Sequence, residues 1–179
     1  MKHPHSRIAH FDFHWPNPPL NIILVHPEIP PNTGNIARLC AATGCLLHLV
    51  EPLGFAIDDP HLRRAGLDYW DAIHVTVHPD WATCLARLHP STDSLHFYTT
   101  GSGARYDMAP YRPGDILVFG CETKGLPSAL LDAHPGAVWG IPMQTEHVRS
   151  LNLSTAVGIV AYHALHTIDA ALRSPPPPA

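Results

Sequence analysis

The sequence has no apolar run approaching the ~18 residues of a membrane span and no hydrophobic segment near Met1 of the kind that opens a secretory leader. Cysteine is scarce. Cys40, Cys45, Cys84 and Cys121 are scattered, with no C-x-x-C pair, which argues against a zinc ribbon or a disulfide framework and fits a reducing compartment. The cytoplasm is therefore the expected location, with no membrane partner. No H-E-x-x-H pattern organises the 15 histidines. No metal is expected, and the surplus of His and Pro over Lys reads as composition bias. G-x-x-x-x-G-K-[ST] is missing, as is G-x-G-x-x-G after the first strand, so nucleoside triphosphates and dinucleotides are poorly supported. Positive charge is also short, with 11 Lys and Arg against 15 Asp and Glu and a net charge of -4. That balance does not advertise a nucleic-acid binder, although a local cluster drawn from Arg38, Arg63, Arg64, Lys124 and Arg149 could still meet phosphates.

What is present suits one domain of 179 residues, 45% of them hydrophobic. Residues 1–19 are rich in His and Pro and read as a flexible extension; residues 173–179 read as a disordered Pro-rich tail. Between them, the aliphatic run Leu20 to Val25 predicts a strand buried on both faces. Pro27, Pro30 and Pro31 predict a loop, after which Asn32 or Thr33 would cap a helix ending at Gly44. Further strands are expected over 46–50, 73–77, 95–99, 116–119 and 138–141. Helical pieces are expected over 58–70, 80–88 and 129–132, with Asp80 capping the second. The last helix, 152–172, is apolar on more than one side, because Ile159, Ala161 and Leu165 lie off the stripe of Leu153, Val157, Val160, Ala164 and Ile168. Such a helix must bury against more than its own sheet, and a second copy of the chain is the economical cover. Alternating strands and helices give an α/β domain on a mainly parallel sheet, with helices on both faces.

Three segments could carry chemistry. Asn32-Thr33-Gly34-Asn35-Ile36-Ala37-Arg38 is explained structurally by a loop and helix start. Functionally, Asn35 and Arg38 stand three apart on one helix face at the sheet's carboxyl edge, where a guanidinium could hold a phosphate or stabilise a developing alkoxide. Phe119-Gly120-Cys121-Glu122-Thr123-Lys124-Gly125-Leu126-Pro127 could be an ordinary connection. In it, Glu122 could serve a helix dipole or orient Asn35 and Arg38; Cys121 lacks a neighbouring histidine to activate it as a nucleophile. Ile141-Pro142-Met143 and Arg149-Ser150-Leu151-Asn152-Leu153-Ser154 complete the set, with Ser150 and Asn152 suited to capping. Glycine-bearing loops at strand ends beside a polar helix start suggest a pocket of main-chain groups able to hold a purine.

These three segments in this order, with Leu62-Arg63-Arg64-Ala65-Gly66-Leu67-Asp68-Tyr69, resemble the motifs of the SPOUT-superfamily RNA 2′-O-methyltransferases. The likeness is strongest to the minimal branch that methylates the ribose of the tRNA wobble nucleotide, cytidine or uridine, and it spans about Leu20 to Ile168. The resemblance implies a C-terminal trefoil knot, S-adenosylmethionine as cofactor, tRNA as substrate and a homodimer in which one protomer's first motif faces the other's cofactor. By position it implies cofactor contacts from Tyr98, Thr99, Thr100, Gly101, Gly120, Glu122, Gly125, Ile141, Met143, Ser150, Leu151 and Asn152. It implies catalytic roles for Arg38, Asn35 and Asn152, and RNA contacts from Arg63, Arg64, Lys124, Arg149 and Tyr162. Cys121, His163 and His166 depart from the family's usual proline, glutamate and arginine. Methylation at another tRNA or rRNA position, and a non-catalytic RNA-binding module, stand as alternatives.

Overall fold

The aliphatic run near the start becomes the strand on which the molecule is organised. In the computed structural model, which describes residues 11–56, 74–144 and 146–174, β1 is Asn21–Val25, buried along its whole length. It pairs in parallel with β2, Leu46–Val50, on one side and with β5, Ile116–Phe119, on the other. β3, Val75–His78, extends the β2 edge. β4, Leu95–Tyr98, and β6, Val138–Trp139, extend the β5 edge. The order is β3-β2-β1-β5-β4-β6, and every pair is parallel. A parallel sheet needs a helical layer on each face, because neither face can be left to water. Here the α/β expectation holds. One face carries Ile22, Leu24, Leu47, Leu49 and Leu117 under α1 (Pro30–Thr43) and α4 (Leu153–Arg173). The other carries Ile23, Val25, Phe97 and Val118 under α2 (Trp81–Leu88) and α3 (Ser128–Ala133).

Several expected boundaries move. The helix expected to begin at Asn32 or Thr33 begins at Pro30, with Ile29 as its N-cap and no side-chain cap. Prolines are welcome in a first turn, where the missing N–H would have had no intrahelical partner, so Pro30 and Pro31 start the helix instead of forcing a loop. Gly44 ends it in the left-handed conformation at φ 75°, as expected. Asp80 caps α2 through Thr83 N–H at 2.7 Å. β6 stops at Trp139, short of the expected Ile141. Gly140 there turns its hydrogen bonds to the 104–106 segment, donating to the Ala104 carbonyl and accepting from Tyr106 N–H. The expected helix over 58–70 lies outside the described residues.

Most of α4's second apolar side is covered within the protomer. Ala161 and Leu165 are fully buried in the same core as Val157 and Ile168, because α4 packs on α1 as well as on the sheet. They therefore do not require a second copy; Tyr162 remains 53% exposed. Residues 11–19, part of the stretch read as a flexible extension, make specific contacts with the end of α4. His14 N–H donates to Asp169 Oδ1 at 2.8 Å, and Arg173 bridges Asp169 and Asp12.

Candidate active site

The loops leaving β4, β5 and β6 converge at the carboxyl edge of the sheet, where open parallel sheets place their ligand sites. Between them and the starts of α1 and α4 lies a cavity of about 510 Å³, within the range of about 300–1,000 Å³ usual for small-molecule sites. Tyr98, Thr99 and Thr100 line it from β4, residues 119–126 from β5, and Ile141 and Met143 from β6. Ser150 to Leu153 and Ala156 line it from the start of α4.

The β5 loop depends on glycine. Cys121 and Gly125 pair across it, with Gly125 N–H donating to the Cys121 carbonyl at 3.0 Å, and Gly125 sits at φ 70°. The chain folds back over Gly120 so closely that a Cβ there would lie 2.0 Å from the Gly125 carbonyl carbon. No side chain fits at position 120. At the tip, Glu122 turns towards α1: Oε2 accepts from Glu28 N–H at 2.8 Å, and Oε1 accepts from Ile29 N–H at 3.3 Å and Asn32 Nδ2 at 2.8 Å. A carboxylate at the start of α1 also meets the positive end of the helix. Glu28 returns the contact, accepting from Thr123 N–H and Oγ1.

Asn32 carries the linkage onward. Its Oδ1 accepts from Asn152 Nδ2 at 2.9 Å, while Asn152 Oδ1 accepts from Ser154 N–H and Oγ and from Thr155 N–H, capping α4. Glu122, Asn32 and Asn152 thus tie the β5 loop, α1 and α4 together at one wall of the cavity. The floor is aromatic. Tyr98 stacks on Phe119 with centroids 4.7 Å apart, and its hydroxyl donates to Tyr111, which donates to the Tyr106 carbonyl. Burial first, then the neighbouring Tyr111, pushes the Tyr98 phenol well up, and burial pushes Tyr111 up to about 12. Both stay neutral and serve as fixed dipoles. By contrast, the main chain of residues 141–144 and 146–151 makes no main-chain hydrogen bond with another described residue, so its amides and carbonyls remain unspent at the cavity rim.

Of the twelve residues expected to hold a cofactor, all but Gly101 line this cavity. Lys124 and Arg149, expected to meet RNA, line it too. Asn35 and Arg38 share an exposed face of α1 and do not line the cavity of their own protomer; Tyr162 is also outside it. Arg63 and Arg64 lie outside the described residues. Glu122 orients Asn32, not Asn35 and Arg38. Asn32 is the residue that sequence reasoning passed over. It precedes Ile36 and Cys40 by one and two turns on the buried stripe of α1, whereas Asn35 and Arg38 fall off that stripe and are exposed. That spacing was available as a signal.

The sequence profile of the SpoU rRNA Methylase family matches residues 19–162. The chain belongs to this family. Among curated proteins, this SpoU methylase is similar to a tRNA (cytidine(34)-2'-O)-methyltransferase of Polaromonas sp. (strain JS666 / ATCC BAA-500), 51% identical over 146 residues, covering 80% of this chain and 88% of that one. Among solved structures, it is similar to one concerned with structural insights into the 2-OH methylation of C/U34 on tRNA. That structure is 43% identical with a TM-score of 0.75, covering 81% of this chain and 93% of the other. An AdoMet-bound rRNA methyltransferase from Sinorhizobium meliloti, 24% identical with a TM-score of 0.71 and covering 83% of this chain and 56% of that one, shares the fold. Among the described residues, no helix is long and apolar enough to cross a membrane, and no group of His, Cys, Asp and Glu could hold a metal ion.

Proposed function

We propose that this SpoU methylase transfers a methyl group from S-adenosylmethionine to the ribose 2′-hydroxyl of the wobble nucleotide, cytidine or uridine, in the anticodon loop of tRNA. The cavity walled by eleven of the twelve residues carried over from the family motifs is the observation that carries this reading. The two relatives above 40% identity, whose names specify that nucleotide, support it further. The cavity suits the cofactor: unspent amides and carbonyls at 141–144 and 146–151 can read a purine edge, and Ile141, Met143 and Leu153 offer it apolar surface.

When bound, S-adenosylmethionine supplies an electrophilic sulfonium methyl, so the protein's task is alignment and charge management. Glu122, Asn32 and Asn152 hold the three walls in register. Ser150 and Leu151 shape the cofactor side. Arg38, with Asn35 beside it, reaches the site of a second protomer and stabilises the 2′-oxygen as its proton passes to solvent. Lys124, Arg149, Arg63, Arg64 and Tyr162 meet the RNA, which makes affinity salt-dependent. This reading includes an obligate homodimer in the cytoplasm, a catalytic domain over 20–172 and a trefoil knot in its C-terminal half. The knot is supported by the path of the chain. β6 lies on the sheet edge beside β4, yet the helix that follows packs against α1 and β5, a return across the sheet that a knotted tail would make. Nucleoside mass spectrometry of tRNA from a deletion strain tests the function. Loss of 2′-O-methylation at the wobble nucleotide is expected, and its retention would refute the proposal.

A further inference from the structure

Beside the cofactor cavity lies a second, wider hollow of about 850 Å³. The two share Thr100, Met143, Arg149 and Ser150 as a common rim, and the second adds Glu146, His147 and Val148. A molecule held at this rim would touch both hollows. Val148, 51% exposed, and Met143 give it apolar surface. Glu146, His147 and Arg149 give it three polar heads, none hydrogen-bonded or ion-paired to a described residue. Elsewhere on this surface cations do find carboxylates: Arg105 holds Asp107, and Arg173 holds Asp169. Around this hollow they do not, although Glu146 and Arg149 stand three residues apart.

We propose that this hollow seats the nucleotide being methylated, and that Glu146 makes the site favour cytosine over uracil. The inference rests on the proposed function and deepens it. A flat pyrimidine can lie on Val148 and Met143, with Arg149 at its phosphate. The two candidate bases differ at one edge: cytosine presents an exocyclic amine, a donor, where uracil presents a carbonyl, an acceptor. A carboxylate has only acceptors to offer, so Glu146 welcomes the first and repels the second. Neutral His147 has one donor and one acceptor and can serve either base, which keeps uridine a substrate. Nothing else on the hollow's lining bears a negative charge.

The test compares kcat/KM of the full-length wild type and Glu146→Ala on two otherwise identical cellular tRNAs carrying C34 or U34, with cofactor affinity measured by calorimetry. Loss of one good base contact is expected to lower kcat/KM on the C34 tRNA by about tenfold, while kcat/KM on the U34 tRNA stays the same or rises as the repulsion is removed. Glu146→Gln, which keeps an acceptor but not the charge, is expected to fall between. Cofactor affinity stays that of the wild type, because Glu146 does not line the first cavity. An unchanged C34/U34 ratio in Glu146→Ala, with an active wild type, overturns this inference alone. A wild type that methylates neither tRNA overturns the proposed function as well.

Discussion

Replacing Glu122 by glutamine changes one atom and is expected to disturb the whole site. Oε2 takes Glu28 N–H at 2.8 Å, and Oε1 takes Ile29 N–H at 3.3 Å and Asn32 Nδ2 at 2.8 Å. All three partners are donors. An amide can satisfy one side with its oxygen but must then point its NH₂ at a donor on the other. A hydrogen bond to a charged group contributes about 1.5–3 kcal/mol, and a partner left without an acceptor costs more than simple loss. Glu122 is half-buried, so solvent recovers part of this, and the net cost is about 2 kcal/mol. For a domain of this size that corresponds to a fall in Tm of about 4–8 °C. The damage should spread through Asn32 to Asn152, weakening cofactor binding in the same variant. Differential scanning calorimetry and cofactor titration read both effects. A Glu122→Gln protein that melts with the wild type and binds the cofactor equally well would refute the claim that this carboxylate locks the walls together.

Three further outcomes follow from the same geometry. Gly120→Ala drives a methyl group into the Gly125–Leu126 main chain at about 2 Å, so the β5 loop cannot close. Cofactor binding should be lost in calorimetry while the far-UV circular dichroism of the sheet persists; normal binding would contradict the crossing. Arg38→Ala should leave cofactor affinity near wild type and lower kcat by about 10²–10³-fold, the usual loss for one transition-state donor; full turnover on tRNA would remove Arg38 from the mechanism. His48, 5% exposed, hydrogen-bonds His78 at 3.1 Å and Asn21 Oδ1 at 3.2 Å, and burial, then His78 and Arg87, lowers its pKa to about 4. Its neutral form is favoured in the folded state, so its contribution is present above the unfolded value of 6.5 and is lost as pH falls from there towards 4. The linkage amounts to about 2 kcal/mol less stability at pH 5 than at pH 7. Urea unfolding at the two pH values should show this, with His48→Gln removing most of the difference; equal wild-type stability at both would contradict it.

Much of the fold was legible because its strands are short aliphatic runs buried on both faces, and because Gly44, Asp80 and Asn152 mark helix ends with their own chemistry. The start of α1 was not, since Pro30 and Pro31 suit a loop and a first helical turn equally well until the helix is seen. Register decided the site. The 32–38 motif offered two asparagines, and only the stripe of Ile36 and Cys40 shows which is turned inward. The partners of Asn32, Glu122 and Asn152, lie 90 and 120 residues away. Such contacts exist only once β1 and β5 stand side by side, and local patterning does not encode that adjacency. The cover for Ala161 and Leu165 likewise came from α1, a packing that helix periodicity alone cannot distinguish from a second copy.

The most direct measurement is incorporation of a tritiated methyl group from S-adenosylmethionine into purified tRNA by the full-length protein, followed by nuclease digestion and nucleoside identification. The account predicts label in 2′-O-methylcytidine or 2′-O-methyluridine from the wobble nucleotide. Label confined to another nucleotide, or tRNA bound on a filter without any label, would contradict it.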